Sequence, residues 1–71
     1  MRKMPKAQQE AAARLAAALD AGIDYFGQHP EDDMTTIHRR ASNIYRDSKD
    51  EALAYASGYL AARLKHDEFA K

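Results

Sequence analysis

The chain contains no cysteine, tryptophan or valine among its 71 residues, and only three glycines and two prolines. Without cysteine, neither a disulfide framework nor a thiolate metal site can form. No apolar run approaches the ~18 residues of a membrane span. The basic start, Met1-Arg2-Lys3-Met4-Pro5-Lys6, leads into no apolar segment, so the expectation is a cytoplasmic protein without a signal peptide. Charge of one sign is missing too: 11 basic residues face 11 acidic ones, for a formal net charge of zero. That balance argues against a protein that coats nucleic acid, although a local basic patch can still bind it.

What is present is alanine. Fifteen of the 32 hydrophobic residues are alanine, against five Leu, three Ile, three Met, two Phe and four Tyr. Alanine is the strongest helix former, so the composition favours an all-α protein with close helix contacts and few large core side chains. A single domain spanning residues 1–71 is expected, and a core this thin invites help from a second chain.

Helix spacing gives the expected elements. Leu15, Leu19, Ile23 and Phe26 recur at helical intervals and predict a first helix over about 5–26, opened by Pro5 and ended by Gly27 and Pro30. Pro30, with Glu31, Asp32 and Asp33 behind it, predicts the start of a second helix. Met34, Ile37, Ala41, Ile44, Ser48, Ala52, Tyr55, Tyr59 and Ala62 then stay on one face at spacings of three or four, which carries that helix to about residue 67. Against continuity, Ser48-Lys49-Asp50-Glu51 matches a capping box and marks a break at 47–49. No glycine or proline lies between Pro30 and Gly58 to turn the chain there.

The preferred architecture is therefore an antiparallel helical hairpin with a long or kinked second helix, dimerising into a four-helix assembly. The alternative is a monomeric three-helix bundle. In the hairpin, Leu15 meets Ile44, Leu19 meets Ile37 and Phe26 meets Met34, while Arg14 faces Asp47 and Asp20 faces Arg40. Residues beyond about Leu53 then outrun the first helix. Their small-residue row Ala54, Gly58 and Ala62, flanked by Leu53, Tyr55 and Tyr59, is the expected homodimer interface, because small residues admit a second helix closely.

The one locally basic stretch is His38-Arg39-Arg40-Ala41-Ser42-Asn43-Ile44-Tyr45-Arg46. Arg39, Asn43 and Arg46 share a helical face with Tyr45 at its edge, a pattern able to bind an acidic protein surface or phosphate groups. A helix-turn-helix over residues 35–54 would place Tyr45 where the turn glycine usually falls, and the following segment is too apolar to read base edges.

Chemistry is hard to find. His29, His38 and His66 form no H-x-x-x-H or E-x-x-H pair, Ser42, Ser48 and Ser57 have no neighbouring base, and no glycine-rich phosphate loop exists. No catalytic residue, metal or cofactor is expected.

A small, cysteine-free, alanine-rich helical chain of this organisation resembles phage-encoded host-takeover proteins, such as those that block quorum-sensing regulators in Pseudomonas. The resemblance implies a non-enzymatic regulator or inhibitor that occludes a partner protein, and it assigns no residue. The competing expectation is a nucleic-acid-binding transcriptional regulator using residues 38–46.

Overall fold

A computed structural model describes residues 4–69; residues 1–3 and 70–71, which include the basic start of the chain, lie outside the described range. The described chain is all-helical: α1 spans Lys6–Gln28, α2 Met34–Ile44 and α3 Lys49–Phe69. No helix among the described residues is long and apolar enough to cross a membrane.

The expected continuous second helix is two helices. α2 ends at Ile44, and the chain reverses through Tyr45–Ser48 without glycine, proline or a positive φ. The turn is built from ordinary backbone and one side chain. Tyr45 N–H still donates to the Ala41 carbonyl at 2.8 Å, and Ser48 N–H donates to the Tyr45 carbonyl at 3.1 Å. Ser48 Oγ then accepts from Glu51 N–H at 3.2 Å, so the capping box does start α3. Hydrophobic phase survives the break because the turn length preserves it, which is why spacing alone reads as one helix.

The start of α2 also moves. Pro30 and Glu31 lie in the connecting loop, and Asp33 is the N-cap, its carboxylate accepting from Thr36 N–H at 2.8 Å. That donated hydrogen bond holds the Asp33 carboxyl below its usual range. α1 runs two residues further than expected and stops at His29, ahead of Pro30, where a residue before proline avoids helical backbone.

The larger correction concerns the partner of α1. Its backbone packs on α3, with α2 touching it only through side chains near Tyr25 and Phe26, and α1 and α3 run in the same direction. Arg14 pairs with Glu51 at 3.1 Å, Leu19 lies against Gly58, Gly22 against Tyr55, and the Phe26 and His66 rings sit 5.5 Å apart. Leu15 and Leu19 thus lie along α3 in place of Ile44 and Ile37, and Arg14 finds Glu51 in place of Asp47. α2 folds back on α3, bringing the Tyr45 and Tyr55 rings to 5.8 Å. α3 is the shared element, with α1 and α2 on two of its sides. The unpaired overhang is the exposed start of α1, Lys6 to Glu10, and not the end of α3.

Tyr25, Phe26, Ile37, Ala41, Tyr55 and Tyr59 form the core, with Ile37 and Tyr59 fully buried. The protein is flat, with principal extents of 44 × 29 × 14 Å and a radius of gyration of 13.7 Å, against about 11 Å for a globule of this length. Its accessible surface is 5650 Å², above the roughly 4,450 Å² expected of a folded 8.0 kDa chain.

Candidate functional site

Two polar regions stand out, and they have different characters. The first is a clasp where the α1–α2 loop meets α3. The Tyr25 hydroxyl donates to the Asp32 carboxylate. The Tyr59 hydroxyl donates to the Asp32 and His29 carbonyls, and Arg63 Nη1 donates to the same Asp32 carbonyl at 3.2 Å. Arg40 reaches across from α2, its guanidinium 4.6 Å above the Tyr25 ring and its Nε 3.3 Å from the Tyr55 hydroxyl. Arginine stacked on an aromatic face while hydrogen-bonded in plane is held by both quadrupole attraction and geometry.

This clasp holds the fold and shows no arrangement for reaction. The hydrogen bond to Asp32, then burial, raises the Tyr25 pKa from 10.0 to about 12. A phenol held neutral in this way is a poorer base or nucleophile at neutral pH than a free tyrosine. Because the shift is upward, the bond's stabilisation is complete below pH 10 and is lost as pH rises from 10 to about 12. Spectrophotometric titration of the phenolates in Asp32→Asn should show one tyrosine returning toward 10. An unchanged titration curve would remove Asp32 as the cause. No buried side-chain polar atom lacks a partner, and no group of three His, Cys, Asp or Glu could hold a metal among the described residues.

The second region is the outer side of α2. Ile37 and Ala41 turn inward to α3, which leaves Arg39 and Asn43 exposed on the opposite side, with Arg46 just beyond the helix end. Of the expected partner-binding residues, Arg39 and Asn43 share that side of α2 and line one cleft with Tyr25 and Arg40, whereas Arg46 lies in the turn, so the helical face expected of all three ends with α2 at Ile44. The fourth, Tyr45, is half-buried and spends its ring on Tyr55; burial raises its pKa, with Glu51 and Tyr55 adding to the shift. Among the described residues the ion pairs are Arg14–Glu51 and His66–Asp67, so neither Arg39 nor Arg46 has a carboxylate within pairing distance. Arg39 is near enough to Asp33 to help lower its carboxyl, but it is not bonded to it.

The expected dimer residues divide. Tyr55, Gly58 and Tyr59 are buried inside the chain's own fold, Ala54 and Ala62 are half-buried, and Leu53 is exposed. Gly58 does admit another helix closely, and that helix is α1 of the same chain. Spacing missed Tyr25, Asp32, Arg40 and Arg63 as a group. They come from three helices and a loop, and only the α2 reversal assembles them. The one sequence signal was Arg40 itself, a charge on the flank of α2 next to the face of buried Ile37 and Ala41.

No family model, curated protein or solved structure matches this chain. The functional reading therefore rests on the geometry.

Proposed function

We propose that this chain is a non-enzymatic regulator or inhibitor that binds a partner protein and occludes part of its surface, with Arg39, Asn43 and Arg46 as the contact. The observation that carries the reading is the exposed Arg39 on the outer side of α2 and the exposed Arg46 in the turn just after it, neither with a carboxylate partner among the described residues, on an element whose opposite side is anchored. Three elements support it. α2 is fixed to α3 by Ile37, Ala41 and Arg40, so its outer side is presented on a rigid base. Arginine forks suit carboxylates, and hydrogen bonds to charged groups contribute about 1.5–3 kcal/mol once desolvated. The partner surface that fits is acidic. Action by occlusion is also the manner of the phage-encoded regulators that the chain's build resembles.

Affinity capture with the wild-type chain and with Arg39→Ala/Arg46→Ala tests this. Both arginines are exposed, so the variant should keep its helix content. Retention of the target should fall at least tenfold, which corresponds to about 1.4 kcal/mol. Undiminished retention overturns the assignment. A gel shift on random duplex DNA that weakens steeply with salt would instead favour the nucleic-acid reading; no shift at low salt is expected.

A further inference from the structure

An uncovered apolar stripe runs along the outer side of α3 and onto the adjoining flank of α1. Leu53, Leu60 and Leu64 lie at i, i+7 and i+11 on α3, so they share one side of that helix. Leu53 borders a groove between α2 and α3, lined also by His38, Ala41, Lys49 and Ala56. At the other margin Ile23 and Phe69 flank Ala61, with Lys65 and His66 at the rim, in a cleft between α1 and α3. Leu19 continues the stripe one turn before Ile23. Leu53, Leu64 and Phe69 are 66%, 61% and 76% exposed, and Leu19, Ile23 and Leu60 between 37% and 41%.

We infer that this face is covered by a second copy of the chain, in a two-fold dimer whose interface is separate from the α2 arginines. Three observations select that occupant. The first is area. At about 200 Å² per large side chain, the six exposed fractions amount to roughly 650 Å², near the ~800 Å² that each partner contributes to a standard interface. The alanines and Ser57 between them add the remainder. The second is neutrality. From Ala52 to Ala62 α3 carries no ionisable group except Tyr55 and Tyr59, which face inward. Charge is confined to the two ends of the face, where Lys49 and Asp50 stand at one end and Lys65 and Glu68 at the other; both ends carry both signs, so a two-fold interface that sets the same patch against itself brings no net like-charge repulsion. With zero formal net charge on the whole chain, two copies also meet without long-range repulsion. The third is relief. Leu53, Leu60 and Leu64 alternate with Ser57 and Ala61, which gives ridges and hollows that interdigitate with their own image. The homodimer expected from the sequence is retained, but its surface moves from the Gly58 edge to the outer side of α3.

Sedimentation equilibrium of the full chain tests this. The wild type should give twice its 8.0 kDa mass at micromolar concentration, and Leu53→Glu/Leu64→Glu should give the single mass with unchanged helix content. Both leucines are largely in water in the single chain, so their replacement spares its core. Arg39→Ala/Arg46→Ala should remain dimeric. A wild type that stays at 8.0 kDa up to high micromolar concentration overturns the dimer, as does a double-glutamate variant that keeps the doubled mass. The two readings fail separately. A monomeric wild type that still captures an acidic protein sinks the dimer alone. A dimer whose arginine variant binds that protein as before sinks the α2 contact alone.

Discussion

Replacing Gly58 with alanine should destabilise the chain by about 3 kcal/mol, at the upper end of the cost of overpacking a tight contact. Elsewhere in a helix the same change stabilises by up to ~1 kcal/mol, because alanine is the better helix former. The reversal of sign comes from one distance. A Cβ at residue 58 would lie 2.0 Å from the Leu19 carbonyl oxygen, and one at residue 22 would lie 1.9 Å from the Tyr55 carbonyl oxygen. Both obstacles are backbone, so no side chain can swing aside and the helices must separate. Gly22→Ala should therefore cost as much as Gly58→Ala. The double variant should cost less than the sum, since helices moved apart once accommodate the second methyl. Gly27 is the internal control. It lies in the last turn of α1 with negative φ, and nothing lies within 4 Å of its missing Cβ, so Gly27→Ala should be neutral or stabilising by a few tenths to ~1 kcal/mol. Urea denaturation followed by circular dichroism measures all three. Equal effects at positions 22, 27 and 58 would mean that α1 and α3 do not meet through their glycines.

The same pair shows how far sequence reading carries and where it stops. Gly58 is legible as a close helix contact, because a glycine amid Ala54, Ala62 and strong helix formers needs compensation. Which helix fills it is not legible, since the answer depends on the turn at Tyr45–Ser48, ten or more residues away. That turn contains none of the residues that usually announce one. Ser48 and Glu51 do announce the start of α3, and the structure uses them, but a capping box says where a helix begins and not how sharply the chain arrives. With the reversal unread, α1 is paired with α2 and the tyrosines at 55 and 59 are left looking outward. Local features fare better. The helical content, the end of α1 before Pro30, and the shared side of Arg39 and Asn43 all depend on residues within a few positions of one another, while the face expected to include Arg46 is cut off by the unread turn. The Tyr25–Asp32–Arg40 clasp spans three elements and leaves no local trace.

Tyr59 carries the second large effect, because packing and polar satisfaction converge on it. It is fully buried, its ring meets Phe26 edge-on at 5.3 Å and Tyr25 at 5.9 Å, and its hydroxyl ties down the loop carbonyls of His29 and Asp32. Tyr59→Ala should cost about 3–5 kcal/mol, the range for deleting a large buried ring. Against a whole stability of roughly 4–10 kcal/mol for a chain of this length, the variant should lose between a third and all of its folding free energy, and its urea midpoint should fall accordingly. Tyr59→Phe keeps the ring and separates the polar share. The Asp32 carbonyl retains Arg63, 3.2 Å away, so the loss should be only about 1 kcal/mol. Arg63→Met keeps most of the aliphatic stem and leaves Tyr59 as the donor, again at about 1 kcal/mol. Combining Tyr59→Phe with Arg63→Met strips the carbonyl of both donors in a half-dry setting. The pair should therefore cost at least ~1 kcal/mol more than the sum of the singles, the excess reflecting an unsatisfied acceptor. Additivity within ~0.5 kcal/mol would show that water reaches Asp32 in the folded chain. The loop would then be held to α3 by the rings alone.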